Sequence, residues 1–112
     1  MLPIQVGEAL EIVFNDKKLL ALYEGGSGRA LKLEKRVVES FFMVMADLEA
    51  ATSIHDLWKR PALKFERLQG YQKRYSVRLD RKWRLEMSIE WTDEASTVGI
   101  IGIQTISKHY GG

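Results

Sequence analysis

The chain has 112 residues, no cysteine and a formal net charge of +2. This length suits one domain with a single modest core, and the lack of cysteine excludes disulfides, thiolate metal sites and a thiol nucleophile. The longest uninterrupted apolar run, residues 41–46, is far too short to cross a bilayer, and no signal-peptide pattern is visible. We therefore expect a cytoplasmic protein with no membrane partner.

The N-terminal quarter predicts a strand followed by a short helix. Residues 1–7 are predicted to be a loose leader. In residues 9–14, Leu10, Ile12 and Phe14 would share one face and Glu11 and Val13 the other, which predicts a strand. Asn15 is predicted to cap a helix over residues 16–24, which the glycines from Gly25 onward end.

The next segments predict a flexible connector and the main helix. Residues 25–29 are rich in glycine but lack the Gly-Lys-Ser/Thr ending of a phosphate-binding loop, so they predict a connector. Residues 34–51 carry an apolar stripe at helical spacing, which predicts a core helix. Residues 52–61 predict a second connector, with Trp58 packed against the core and His55 at the surface.

The second half predicts an antiparallel meander of three or four strands, over residues 63–68, 75–79, 83–91 and 98–106. The last of these is apolar on both faces, as expected of a central strand. A strand and two helices followed by a meander predict an α+β domain, with the helices packed on the sheet. We expect residues 1–112 to form this single domain.

Positive charge is concentrated within the meander, since residues 59–84 contain ten basic and two acidic side chains. If residues 80–82 form a three-residue turn, Arg78 lies directly opposite Arg84. Two facing arginines need a negative group, which Glu86 could supply from within the chain and a phosphate from outside. The phosphate interpretation is favoured by further basic candidates around the same hairpin: Lys73, Arg74, Arg81 and Lys82. A solvated basic face with no partner would have the same composition.

Four short motifs resemble the HigB branch of the RelE/ParE toxin superfamily. They are Leu-Gln-Gly at 68–70, Tyr-Ser-Val-Arg-Leu at 75–79, Lys-Trp-Arg-Leu at 82–85 and Ile-Ser-Lys-His-Tyr at 106–110. The resemblance covers about residues 9–110. It implies a RelE-like fold and a ribosome-dependent mRNA interferase that a helix-turn-helix antitoxin, HigA-like and encoded beside it, neutralises.

The resemblance also implies roles for particular side chains, with no metal or cofactor. Such toxins cleave RNA by attack of a ribose 2′-hydroxyl on the adjacent phosphate, which restricts the reaction to RNA. By resemblance, Arg84 would stabilise charge on the phosphate and Arg78 would be a second phosphate ligand. His109, followed by Tyr110, matches the catalytic C-terminal end and would be the acid or base. Glu66 is a candidate general base or a salt-bridge partner of the nearby arginines.

The sequence departs from the HigB pattern at three points. Glu66 and Gln69 stand where HigB toxins carry His and Lys, and the C-terminal His-Tyr pair is reversed. Two other functions therefore stay open: ParE-like, non-nucleolytic inhibition of DNA gyrase, and RNA binding without chemistry. An acidic or apolar antitoxin segment is expected on the helices or near the basic region. Arg84→Ala is expected to abolish growth inhibition and leave the fold intact, because Arg84 lies on the polar face of its strand.

Overall fold

Strands from both ends of the chain form one mixed sheet. The computed structural model describes residues 10–26 and 31–108, and within these residues the strand order is β1-β5-β4-β3-β2. The strands are β1 (Glu11–Phe14), β2 (Glu66–Arg67), β3 (Arg74–Arg78), β4 (Trp83–Trp91) and β5 (Gly99–Lys108). Strands β2 to β5 form the predicted antiparallel meander, while β1 pairs parallel to β5. The prediction that the last strand is central is confirmed.

Helices cover one face of this sheet and bury its apolar side chains. They are α1 (Lys17–Tyr23), α2 (Lys35–Ala50) and α3 (Ile54–Trp58). A parallel β1–β5 pair needs a crossover connection, and the helices lie between the two strands in sequence. The stripe that α2 buries is the one its helical spacing predicts: Val37, Phe41, Val44, Met45 and Leu48. On one face of the central β4 strand, Leu85, Met87 and Ile89 are fully buried in the same core, and Trp83 and Trp91 at its ends are partly buried against it.

The cap of α1 differs from the sequence-based expectation. Asp16, rather than Asn15, has the extended backbone of a cap, and its Oδ1 accepts hydrogen bonds from the backbone N–H groups of Lys18 (2.8 Å) and Leu19 (3.0 Å). Asn15 instead donates its N–H to the Ile103 carbonyl at 2.9 Å, which continues the pairing of β1 with β5. Tertiary pairing therefore shifts the cap by one residue.

Residues 52–61, predicted to be a connector, contain the short helix α3. The Asp56 carboxylate accepts hydrogen bonds from the N–H groups of Thr52 (2.8 Å) and Ser53 (3.4 Å), which fixes the start of this helix. Ile54 and Leu57 are buried against the core. A single turn with two apolar side chains is too short for its periodicity to show in the sequence.

Trp58, predicted to pack against the core, does so through the buried Phe65, although 55% of Trp58 is exposed. Its ring meets Phe65 edge-on, with 4.7 Å between the ring centroids. His55 lies at the surface, as expected.

The strand predicted over residues 63–68 is much shorter, because the chain turns before it. Pro61–Leu63 form a 3₁₀ turn, and Lys64 adopts a left-handed backbone conformation with φ of 45°. Regular pairing with β3 is therefore confined to Glu66–Arg67.

The predicted register of the β3–β4 hairpin is confirmed. Arg78 pairs with Arg84 and Val77 with Leu85. The Leu79 N–H donates to the Trp83 carbonyl at 2.9 Å and closes the turn. Several other sequence-based predictions lie outside the described residues: the leader over 1–7, the start of the first strand at residue 9, residues 27–29 of the connector, and His109 and Tyr110. Within the described residues, no helix is long and apolar enough to cross a membrane.

The β4–β5 loop depends on one carboxylate. Asp93 accepts hydrogen bonds from the Thr97 and Val98 N–H groups, at 2.9 and 3.1 Å, and from the Thr97 hydroxyl. The hydroxyl, followed by these backbone donors, lowers the pKa of Asp93 below its usual 3.8. A carboxylate whose pKa is lowered by folding stabilises the protein above its unfolded pKa, and this stabilisation is lost as the pH falls through the folded value.

We therefore expect Asp93→Asn to lower the melting temperature most near neutral pH. The difference from the wild type should narrow as the pH falls below about 4, where the wild-type carboxylate is protonated. Thermal unfolding followed by circular dichroism between pH 7 and pH 3 measures this, with Glu94→Gln as the matched control because Glu94 is exposed. A difference in melting temperature that stays constant with pH would contradict the assignment.

Candidate functional site

The sheet face opposite the helices carries polar side chains on its middle strands. Because side chains alternate across a strand, the residues between the buried ones in β3 and β4 share this second face. In the paired register they are Ser76 opposite Glu86 and Arg78 opposite Arg84. This polar face is the candidate site.

Arg84 is the most tightly held side chain of the polar face and is only 6% exposed. Its Nε donates to Ser76 Oγ at 2.8 Å, and its Nη2 donates to the Lys64 carbonyl at 2.6 Å. Glu66 Oε1 lies 3.5 Å from the same Nη2. Burial lowers the pKa of Arg84 and the Glu66 carboxylate opposes that shift, yet a guanidinium stays protonated at neutral pH. The site thus contains a fixed cation.

The backbone around Lys64 explains how this cation is held. The Pro61–Leu63 turn and the left-handed conformation of Lys64 bring the Lys64 carbonyl to the Arg84 guanidinium. The arginine therefore provides a hydrogen-bond donor for the backbone of this turn as well as the positive charge of the site. Arg84 therefore has a structural role that its place on a polar strand face does not reveal.

Glu66 supplies the carboxylate nearest to this cation. It lies on β2 directly opposite Ser76, and 47% of its side chain is exposed. A carboxylate that contacts a fixed guanidinium and also reaches solvent could accept a proton from a bound substrate.

Glu86, the alternative to a phosphate as the negative group beside the facing arginines, has other partners. It binds Arg74 Nη1 at 3.2 Å and accepts a hydrogen bond from the Ser107 hydroxyl at 2.5 Å. The acidic neighbour of Arg84 is therefore Glu66. The ladder places Glu86 across from Ser76, one row away from the arginine pair.

The remaining basic candidates divide into two groups. Arg78 is half-buried beside Arg84, with its Nε donating to the Asp80 carbonyl at 3.3 Å, and Arg81 and Lys82 are exposed in the adjoining turn. These three residues lie at the Arg84 end of the hairpin.

Lys73 and Arg74 lie at the opposite end of β3. Lys73 Nζ is 3.0 Å from Glu90 Oε2, and Arg74 is paired with Glu86. Because Arg74 and Arg78 are four residues apart along the strand, their Cα atoms are separated by roughly 13 Å. The structure therefore places Arg78, Arg81 and Lys82 near Arg84, and Lys73 and Arg74 in carboxylate pairs further along the sheet.

Comparison with known families identifies the family of this chain. The sequence model described as "RelE-like toxin of type II toxin-antitoxin system HigB" matches residues 12–99. The chain belongs to the HigB-like toxin family. The matched segment runs from β1 to the start of β5 and contains Glu66, Arg78 and Arg84. No curated protein matches the chain.

Solved structures share the fold of this HigB-like toxin at low identity. The YoeB–YefM complex from Staphylococcus aureus matches with a TM-score of 0.53 and 18% identity, over 90% of this chain and 98% of that chain. A YoeB/ParE toxin from Agrobacterium tumefaciens matches with a TM-score of 0.51 and 14% identity, over 90% of this chain and 100% of that chain. The structure of a YoeB dimer from Staphylococcus aureus matches with a TM-score of 0.50 and 18% identity, over 91% of this chain and 99% of that chain. These matches confirm the predicted RelE-like α+β fold.

The described end of β5 lies beside the arginine of this HigB-like toxin. Ser107 is directly opposite Arg84 in the ladder, and Lys108 Nζ lies 5.4 Å from the centroid of the Trp83 ring. His109 and Tyr110 follow immediately in sequence but lie outside the described residues. In the parts of the chain that the structure describes, no group of three or more His, Asp or Glu side chains could hold a metal ion.

Sequence reasoning missed two groups that hold the site together. Ser76 is fully buried beneath the Arg84 side chain, and the Lys64 carbonyl accepts from the same guanidinium. The sequence gives only a weak indication of the role of Ser76, because it shows just a small polar residue opposite Glu86 in the predicted register. A backbone carbonyl has no sequence signal at all, so only the structure reveals it.

Proposed function

We propose that this toxin, as a single domain over residues 1–112, is an mRNA endonuclease that acts on the ribosome without a metal. The observation that carries this proposal is the Glu66–Arg84 pair, in which a solvent-accessible carboxylate contacts a guanidinium fixed by the Lys64 carbonyl and Ser76. A proton acceptor beside a fixed cation is the combination that 2′-hydroxyl attack on a phosphate requires.

In this reaction each residue has a separate task. Glu66 takes the proton from the ribose 2′-hydroxyl, whose oxygen then attacks the adjacent phosphorus. Arg84 stabilises the negative charge that develops on the phosphate oxygens, and Arg78 binds the same group from the facing strand. The bond from phosphorus to the 5′-oxygen breaks, and His109 supplies the proton for that oxygen, with Tyr110 beside it in sequence. The products are a 2′,3′-cyclic phosphate and a free 5′-hydroxyl.

We also propose that a helix-turn-helix antitoxin, HigA-like and encoded beside the toxin, is the protein partner. The family is that of a type II toxin–antitoxin system, and a YoeB toxin of the same fold is found in complex with YefM. The cytoplasm, where translating ribosomes are, is the proposed compartment.

The direct test is induced expression in cells, followed by mapping of mRNA 5′ ends. We expect wild-type toxin to produce new 5′-hydroxyl ends within translated regions. Intact mRNA together with growth arrest and DNA damage would instead support gyrase inhibition. Intact mRNA with normal growth would leave an RNA-binding module without chemistry.

Glu66→Gln should lower the rate of cleavage by roughly 10²- to 10⁴-fold, the usual contribution of a general base. The neutral amide keeps the size of the side chain but cannot take the proton. Single-turnover cleavage of mRNA on purified ribosomes measures the effect.

The matched control is Glu90→Gln, because Glu90 also pairs with a basic side chain of the sheet, Lys73, and is 63% exposed. It should cleave at the wild-type rate. Equal rates for Glu66→Gln and wild type would remove Glu66 from the reaction and transfer proton abstraction to the C-terminal residues.

A further inference from the structure

A groove that adjoins the polar face at Arg78 runs between α2, the Pro61–Leu63 turn and the end of β3. Its volume is about 470 Å³, within the range of sites that accept several side chains. Apolar side chains supply much of its lining, including Met43, Val44, Leu63 and Leu79. We call it the Met43 groove, after the most exposed of these side chains.

Met43 is the feature that marks this groove as a contact surface. It lies on α2 and is 70% exposed, more than any other large apolar side chain in the described part of the chain. Beside the groove this methionine adds accessible apolar surface, and its flexible thioether can adapt to the shape of a ligand.

The charges of the groove define the chemistry of its occupant. Arg60 Nη1 is bound to Asp47 at 3.1 Å, so that pair is internally neutralised. Lys59 and Arg78 also line the groove, and neither has a carboxylate within 4 Å among the described residues. An apolar floor beside two cations that form no ion pair within 4 Å among the described residues is complementary to a segment that combines apolar and acidic side chains.

RNA fits this groove less well than a peptide does. Its described lining contains no aromatic side chain on which a base could stack. Its floor is aliphatic, which suits leucine, isoleucine or valine side chains.

We infer that the Met43 groove is the docking site for an acidic, apolar segment of the antitoxin, an inference that rests on the proposed toxin–antitoxin pairing. Arg78 lines the groove and lies directly opposite Arg84 in the sheet. A carboxylate of the docked segment that pairs with Arg78 therefore removes a phosphate ligand from the polar face. Docking in the groove and inhibition of the site are coupled through this one arginine.

The test uses the full-length toxin and fluorescein-labelled 15-residue peptides that tile the antitoxin encoded beside it. We expect one binding region, with apolar residues flanked by Asp or Glu. Met43→Asp and Lys59→Glu should each weaken its binding by roughly tenfold or more, as for a side chain central to an interface. Lys35→Glu is the matched control, since Lys35 also carries a positive charge, lies on α2 and is 91% exposed. It should bind within about twofold of wild type, as expected for a charge outside the interface.

The same variants are tested with the intact antitoxin and with purified ribosomes. Wild-type affinity of Met43→Asp and Lys59→Glu for the antitoxin would overturn the inference and place the interface elsewhere. Loss of ribosome binding by Lys59→Glu with unchanged antitoxin binding would overturn it in favour of an RNA surface. Antitoxin binding is measured without RNA and is therefore independent of cleavage. If the wild-type toxin binds the antitoxin through the groove but cleaves no RNA, the nuclease proposal is refuted and the docking inference is kept.

Discussion

An Arg84→Ala toxin is expected to cleave RNA roughly 10²- to 10³-fold more slowly and to lose about 1–3 kcal/mol of unfolding free energy. The first effect follows from removing the cation that faces the developing phosphate charge. The second follows because the Lys64 carbonyl and the Ser76 hydroxyl lose their buried donor. Single-turnover cleavage and urea denaturation measure the two effects separately.

Two further variants distinguish catalysis from folding. Arg84→Lys keeps the positive charge but lacks the planar fork that reaches two acceptors, so it should recover only part of either property. Ile89→Val, a change in the core face of the same strand, should cost about 0.5–1.5 kcal/mol and leave cleavage by the folded fraction unchanged. If Arg84→Ala lost no more activity than its unfolded fraction explains, Arg84 would be a structural residue only.

Phe41→Ala is expected to lower the free energy of unfolding by about 3–5 kcal/mol, the usual cost of removing a buried phenyl ring. Phe41 is fully buried in the middle of α2, and its ring meets the Tyr23 and Phe42 rings edge-on. The free energy of unfolding of a small domain is roughly 5–15 kcal/mol in total, so the variant should be marginally folded. Equilibrium urea unfolding followed by tryptophan fluorescence gives the value.

The neighbouring Phe42→Ala is the control with the same chemical change. Phe42 is 38% exposed, so its truncation leaves space that water can enter and should cost no more than about 1.5 kcal/mol. Equal losses for the two variants would show that the core does not depend on the buried stripe of α2.

The fold could be predicted largely from local patterns. The apolar stripe of α2 and the alternation of β4 each have a period that matches their structure, and the hairpin register follows from a three-residue turn. What could not be predicted depends on distant contacts. The helix cap is Asp16 rather than Asn15, because the Asn15 N–H is hydrogen-bonded to β5. Strand β2 is short because the left-handed backbone conformation of Lys64 changes the direction of the chain just before it.

For the candidate site, the sequence identifies side chains but not their surroundings. It predicts that Arg78 and Arg84 face each other, which the register confirms. It also places Arg84 on the polar face of its strand but does not show that Glu66, Ser76 and the Lys64 carbonyl surround it. Burial on that face depends on the path of residues 61–66, and no periodicity in the sequence encodes that path.

The extreme shortness of β2 has a consequence for the lifetime of the site. Its two residues pair only with β3 at the edge of the sheet, whereas the nine-residue β4 is paired on both sides, with β3 and with β5. Brief opening of such an edge needs far less free energy than global unfolding. Each opening would withdraw the Glu66 carboxylate and the Lys64 carbonyl together and leave Arg84 on the intact central strand. Opening of the edge strand would therefore remove two contacts of the Arg84 guanidinium, while its hydrogen bond to Ser76 on β3 stays in place.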